Sequence, residues 1–382
     1  METVKLGLLI KKTKVARCGN FSYPVLSITK QDGIIMQSEK FKKRIASADT
    51  SDYKIIPRGK LVQGIHIDEG NFGIQDIVDN GIVSPAYGVW DVNDELVVPK
   101  YLEMVLRSPK SIEFYRSKLT GTVSRRGHMS DTDFLSMDVP FPDKDTQSKI
   151  LETMKQTTSV LCSRQQQLAK LDELVKARFV EMFGTYPDNP FGWNTGKIQD
   201  VVSDVRYGSS RPAVEGGKYP YLRMNNITYA GELDLTDTKR IDVPDNELDK
   251  CTVRRGDVLF NRTNSKELVG KTCVYNRDDM MVLAGFVIRV RVNERILPEF
   301  LVAFLNTDFS KQMLLGMCKT AIGQANINAK EMQNIGLYIP PIALQEQFVD
   351  LKNQIDKSKV EVQKALDQTQ LLFDSLMQQY FG

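Results

Sequence analysis

Phe183-Gly184 near the middle of this sequence and Phe381-Gly382, its last two residues, follow stretches of the same character. Sliding the sequence against itself by 198 positions superimposes the two pairs, and with them Leu174 on Leu372, Leu168 on Leu366, Gln165 on Gln363 and Pro142 on Pro340. With small slips of register, as surface insertions produce, the match runs further upstream. Val98–Leu106 (VPKYLEMVL) answers Leu297–Leu305 (LPEFLVAFL), Pro57–Val62 answers Arg254–Leu259, and Tyr23–Ile28 answers Tyr219–Met224. The pairings keep one order at offsets of 196 to 199, so a tandem duplication is the economical reading. Its period is far longer than the roughly 20 to 50 residues of a solenoid repeat. Each copy is therefore expected to be a whole domain with an attached arm.

Pattern divides each copy further. Short β-rich runs such as DVLFNR (257–262), KTCVYN (271–276) and GFVIRVRV (285–292) are punctuated by Gly, Pro, Asn and Asp, as strands with turns require. A helical piece follows, from Pro99 to about Leu119 and from Pro298 to about Leu315, each opening on a proline whose missing N–H costs nothing there. A long helix then closes each copy. Met154, Leu161, Leu168, Val175 and Met182 recur every seven residues, joined by Leu171 and Phe179. In the second copy Leu351, Ile355, Ser358, Val362, Ala365, Thr369, Leu372 and Leu376 alternate at four and three, a coiled-coil seam. A helix from about Thr146 to Phe183 spans on the order of 55 Å at 1.5 Å per residue and reads as a spacer.

The formal charge of the 382 residues is only +3, and the surplus sits in the β-rich regions while the long helices carry none. Five cysteines without a C-x-x-C pair and two histidines exclude a zinc site or a disulfide framework and suit reduced thiols in a cytosol. The N-terminal apolar run is too short for a signal peptide, and Met280–Ile288 is far below the ~20 residues of a spanning helix. A cytoplasmic protein with no membrane partner is expected. Enzymatic motifs fail on inspection: LVGKT (268–272) resembles the end of a phosphate-binding loop, but Ser265 stands where its first glycine belongs. There is no nucleophile elbow, no H-E-x-x-H and no dinucleotide turn. No catalytic and no metal-binding residue is assigned.

What remains is polar chemistry beside turns, suited to reading base edges. Asn261, Arg262, Thr263, Asn264 and Lys266 fall between two strands, where Arg and Asn could contact guanine and adenine in bidentate fashion and the others phosphates. Arg206 and Arg211 in VRYGSSRP, and Arg223, Asn225 and Asn226 in YLRMNNIT, add to them. In the first copy the candidates are Lys11, Lys12 and Lys14, then Lys42, Lys43 and Arg44, then Arg125, Arg126 and His128. The bland reading of each cluster is a solvated face.

GDVLFNRTNSKELVGKTCVY (256–275), GQANINAKEMQNIGLYIPPIALQEQ (323–347) and the long closing helix together resemble the specificity subunit of type I DNA restriction-modification systems. The resemblance covers essentially the whole chain, more tightly in the second half. In the first, VPFPDKDTQSKI (139–150) replaces the Pro-Pro and Glu-Gln of IPPIALQEQ. It implies an α+β chain with target recognition domains at 1–139 and 185–337 and conserved helical regions at 140–184 and 338–382. The two long helices would be antiparallel, with a pseudo-two-fold relation. It further implies a non-catalytic subunit that reads a bipartite, asymmetric site in double-stranded DNA and docks two methyltransferase subunits, through which restriction (translocase) subunits join. S-adenosylmethionine, ATP and Mg are then expected on partner subunits alone. The alternatives are a coiled-coil scaffold that does not bind DNA, a fused enzyme, and the specificity subunit of a related restriction-modification system.

Overall fold

The computed structural model describes residues 2–30, 32–40, 49–119, 129–265, 268–317, 319–321 and 324–382. The chain divides into two compact units, one of residues 1–165 with 364–382 and one of residues 166–363. The division cuts both long helices near their middles.

Each long helix has 40 residues, Lys144–Phe183 and Ile342–Phe381, about 60 Å at 1.5 Å per residue. Neither contains a glycine or a proline, so nothing interrupts the backbone ladder. The first starts two residues earlier than the sequence pattern suggested. Asp143 accepts from the Thr146 backbone N–H at 2.9 Å and from its hydroxyl at 2.7 Å, which caps the first turn. Gly184, at φ +80°, ends it; a Cβ there would lie 2.4 Å from Pro190.

In the first unit, strands Ile10–Lys12, Gly88–Val92, Leu61–Gln63 and Phe72–Ile74 form a four-stranded antiparallel sheet in that order. Leu26–Thr29 pairs with Gly33–Met36, and Lys54–Pro57 with Asn80–Val83. A core of Phe72, Trp90, Tyr101, Tyr115 and Phe134 fills the space between the main sheet and the short helices, and Ile150, Met154 and Phe381 from the two long helices join it.

The second unit repeats the plan. Val202–Tyr207, Val287–Val292, Val258–Asn261 and Thr272–Val274 form the corresponding sheet in the same order. Tyr219–Leu222 lies between Lys239–Ile241 and Met281–Leu283, the latter parallel to it and paired in turn with Thr252–Val253. Phe179, Phe183, Phe300, Phe304, Tyr338 and Phe348 dominate its core. Here the end of the first long helix meets the start of the second, with Phe179 and Phe348 rings 5.3 Å apart. In the first unit the start of the first helix shares a core with the end of the second, so within each unit the helices run antiparallel.

Buried glutamines show how closely the copies agree. Gln147 accepts from the Val98 N–H at 2.8 Å and donates to the Pro142 carbonyl at 2.8 Å. Gln345 does the same with Leu297 and Pro340, at 2.8 Å each, and both side chains are fully buried. Pro142 thus does the work of Pro340, so the divergent VPFPDKDTQSKI keeps the anchoring geometry.

Two expectations change. The helical piece of each copy is two helices, Pro99–Leu106 and Pro109–Lys118, and Pro298–Leu305 and Asp308–Met317. Ser108 and Thr307 break them: each hydroxyl oxygen accepts from the N–H three residues on, at 3.3 Å, and caps a new helix. On the closing helix the seam departs from the sequence pattern at two places. Ser358 and Leu372 are exposed while Lys359 and Phe373 are half-buried. Lys359 sits inward because its ammonium bridges Asp172 at 2.8 Å and Glu232 at 2.7 Å.

Among the described residues no helix is long and apolar enough to cross a membrane, and Cys18, Cys162, Cys251 and Cys273 are not joined in disulfides.

Candidate nucleic-acid interface

In the second unit the segment after Asn261 is more ordered than a hydrophilic loop. Thr263–Asn264 is a short strand that pairs antiparallel with Gln324–Asn326, Thr263 opposite Asn326 and Asn264 opposite Ala325. The Thr263 hydroxyl donates to the Asn326 side-chain carbonyl at 3.2 Å, and the Ile327 N–H donates to the Arg262 carbonyl at 2.9 Å. The candidates therefore stand on a ribbon fixed from both sides.

Burial then sorts them. Asn226 and Asn261 are corrections: they are 2% and 0% exposed and cannot reach a base. The Asn226 amide donates to the Asp234 and Asp237 carbonyls at 2.8 and 3.2 Å while its oxygen accepts from the Arg223 N–H at 2.9 Å, so it holds a loop together. Asn261 ends the strand Val258–Asn261, with its side chain turned inward. Asn225 is exposed, and Thr263 and Asn264 are half-buried.

The arginines separate by partner. Arg206 pairs with Asp204 at 2.9 Å and Arg223 with Asp237 at 2.8 Å. Arg211 grips Glu247 through two bonds, at 2.7 and 3.2 Å, which holds the Glu247 carboxyl below its usual range. Arg262 differs. Its guanidinium carbon lies 4.8 Å from the centroid of the Tyr207 ring, its Nε has no hydrogen-bond partner among the described residues, and no carboxylate among them pairs with it. Stacking on an aromatic face orients the planar fork without consuming its donors. Tyr207 is itself held, its hydroxyl accepting from the Ala329 N–H at 2.9 Å. The LVGKT segment has no phosphate-loop geometry: the Lys271 ammonium is buried and donates to the Met224 carbonyl at 2.9 Å.

In the first unit Lys11 and Lys12 lie on the edge strand Ile10–Lys12, and Lys14 follows it; all three are exposed. Lys12 pairs with Asp131 and stands 5.6 Å over the Trp90 ring. Lys42, Lys43, Arg44, Arg125, Arg126, His128 and Lys266 lie outside the described residues.

Sequence reasoning passed over four residues. Tyr207 and Phe286 flank Arg262. In the first unit the Gly64 N–H donates to the Asn71 carbonyl as that of Asn261 does to Lys271, so the shorter segment 65–70 takes the place of 262–270, with Ile65 and His66 exposed. The signal was present in the alignment of Pro57–Val62 with Arg254–Leu259, which runs on into both segments.

Beside the ribbon the Lys311 ammonium donates to the Gly270 carbonyl at 3.0 Å and lies 5.3 Å over the Tyr229 ring. Burial, with repulsion from Lys176 and Lys271, pushes this amine down to about 8. A lysine with a folded pKa below its unfolded value of 10.5 opposes folding while charged, and the penalty fades as pH rises through that interval. Lys311→Met is therefore expected to melt higher than the unaltered chain at pH 7, with the advantage shrinking between pH 8 and 10.5. A gap in thermal midpoint that stays constant across that range contradicts the assignment.

Residues 190–369 match the family model of the type I restriction modification DNA specificity domain. The chain is 24% identical over 221 residues to the type I restriction enzyme EcoKI specificity subunit of Escherichia coli strain K12, covering 56% of this chain and 47% of that one. It is 21% identical over 310 residues to the type I restriction enzyme StySPI specificity subunit of Salmonella potsdam, covering 75% and 66%. A 24% match over 182 residues, covering 47% and 43%, joins it to the putative MjaX specificity subunit of Methanocaldococcus jannaschii. These matches span about half to two thirds of the relatives' lengths. In fold, the chain resembles over its whole length a protein from a structural study of assembly and conformational transition in the type I R-M system, with a TM-score of 0.63, 18% identity and 97% of that chain covered. The type I S subunit from M. genitalium follows at 0.51 and 15%, covering all of this chain and 96% of that one. The duplicated plan, the paired long helices and these likenesses agree: the chain is similar to type I restriction-modification specificity subunits, and its second half carries the match to their DNA specificity domain.

Proposed function

We propose that this chain recognises double-stranded DNA for a type I restriction-modification complex, each copy reading one part of a two-part asymmetric site. The observation that carries the reading is Arg262, whose oriented guanidinium has no carboxylate partner among the described residues, where Arg206, Arg211 and Arg223 are neutralised. An arginine held so at the edge of a ribbon suits the O6/N7 pair of guanine in a major groove. The description of the matched domain and the relatives' names support the same function. Two methyltransferase subunits would dock on the chain, and restriction subunits would join through them. Leu371 and Leu372, 69% and 53% exposed on the closing helix, offer apolar surface for such a partner. The chain itself carries out no covalent step in this reading: S-adenosylmethionine, ATP and Mg belong to partner subunits.

The test is selection from a randomised duplex pool by the complex purified through a tag on this chain, followed by binding titrations across salt. A two-part site with a fixed gap should be enriched, and affinity should fall steeply with salt as counterions are released. Arg262→Ala should weaken the second half-site by ~1–3 kcal/mol and leave footprint protection of the first unchanged. Arg206→Ala, which removes a cation already paired, should cost less. No enriched site, or equal loss over both halves, contradicts the proposal.

A further inference from the structure

Phe286 is 55% exposed, on the turn that joins Met281–Leu283 to Val287–Val292. Its position is fixed by backbone bonds on every side. The Ser209 N–H donates to Leu283 at 2.6 Å, Gly285 to Ser209 at 2.7 Å, Val287 to Ala284 at 2.9 Å, and Arg262 to Phe286 itself at 3.0 Å. Gly208 permits this approach, for a Cβ there would lie 2.2 Å from the Leu283 carbonyl oxygen. An apolar ring is thus held out at the surface by a rigid turn, where a flexible one could have folded it away.

Register places the ring with the reading ribbon. Asn261 stands opposite Val287, so one step further Arg262 stands opposite Phe286, and directly opposed side chains share a face. Tyr207, opposite Ile288, lies on that face as well and carries the Arg262 guanidinium. The face passes from the core residues Phe260 and Ile288 to Arg262, Tyr207 and Phe286 as it leaves the core. One fork of donors and one apolar ring, side by side on one rigid edge, match two adjacent features of a major groove: a purine acceptor pair and the C5-methyl of thymine.

We infer that Phe286 reads a thymine methyl in the half-site of the second domain, next to the base addressed by Arg262. The inference rests on the DNA-reading function proposed above and adds the base chemistry that one residue detects. The methyl is the only apolar group displayed on a major-groove edge, and a phenyl ring with two χ angles buries it at low cost in side-chain freedom.

Deoxyuridine in place of thymine deletes that methyl and nothing else, which gives a direct test. The complex is first used to select its site from the randomised pool, and each thymine of the second half-site, on either strand, is then replaced by deoxyuridine. The unaltered complex should lose about fourfold in affinity at one thymine, as expected for one buried methyl-sized group. Phe286→Ala should bind the thymine and deoxyuridine duplexes equally, Phe286→Leu should keep part of the discrimination, and both should protect the first half-site normally. Indifference of the unaltered complex to deoxyuridine at every position, an undiminished loss in Phe286→Ala, or an enriched half-site without thymine overturns the inference while DNA reading stands. A pool with no enriched site overturns both.

Discussion

Phe183→Ala is expected to destabilise the second unit by ~3–5 kcal/mol, the usual cost of truncating a buried phenylalanine. The ring is fully buried in the last turn of the first long helix, and its centroid lies 4.8 Å from Phe300, 5.0 Å from Phe179 and 5.7 Å from Phe348. It therefore joins the start of one long helix and the end of the other to the domain between them. The two tryptophans allow the loss to be located, because Trp90 lies in the first unit and Trp193 in the second. The Trp193 indole donates to the Phe183 carbonyl at 3.1 Å, so in a Trp90→Phe background its emission follows this region. Denaturant unfolding should show an earlier midpoint for that signal. Phe381→Ala is the corresponding change in the first unit, where Tyr101 is an aromatic neighbour at 5.7 Å, and a smaller loss is expected there. A Trp193 midpoint unmoved by Phe183→Ala would mean that the aromatic cluster does not hold the helices.

The repeat made most of the fold legible before any coordinates. Duplication preserves spacing: a glycine that must end a helix, a proline whose carbonyl must receive Gln147 or Gln345, and a seam that must face inward recur because the same backbone is built twice. What escaped were details decided by single side chains. Ser108 and Thr307 break one apolar-periodic segment into two helices because a hydroxyl captures the N–H three residues on. Lys359 displaces Ser358 from the seam because two carboxylates, one of them on the other long helix, wait for its charge. Neither carboxylate is near it in sequence.

The candidate site was legible only as a list. Residue type and position beside turns brought Arg206, Arg211, Arg223, Asn226, Asn261 and Arg262 forward together, since pattern gives all of them equal chemistry. Tertiary pairing separates them. Glu247 and Asp237 neutralise Arg211 and Arg223, burial removes Asn226 and Asn261, and Tyr207 orients Arg262. Phe286 was hidden for the opposite reason: in sequence it reads as the first apolar residue of a strand, and only the turn geometry puts it in solvent.

The frame behind the reading face carries the second large expected effect. Arg289, 2% exposed at the centre of Val287–Val292, donates to the Asp204 carboxylate at 2.8 Å and to the Asp249 and Thr252 carbonyls, tying the edge strand Val202–Tyr207 to the helix Asp245–Cys251. Arg289→Met keeps the apolar stem but withdraws a donor from one carboxylate and from two carbonyls. Removing one member of a buried ion pair costs 3–5 kcal/mol, and Asp204, a quarter exposed and still bonded to Arg206, places the expected loss at the lower end, about 3 kcal/mol. Burial pulls the Asp204 carboxyl upward, but the bonds from Arg289 and Arg206 outweigh it and hold it below the ordinary aspartate range. A carboxyl depressed in the folded state contributes stability above its unfolded pKa of about 4 and loses it as pH falls through the folded value. The variant should accordingly show a flatter acid limb below pH 4, where the unaltered chain gives up what the pair supplied. Asp204→Asn added to Arg289→Met should cost little more, since the partner is already gone. A full second loss in the double variant, measured as a coupling near zero in the cycle, would show that the two side chains stabilise the edge strand independently, and Tyr207 at its end would not depend on their bond for its place beneath Arg262.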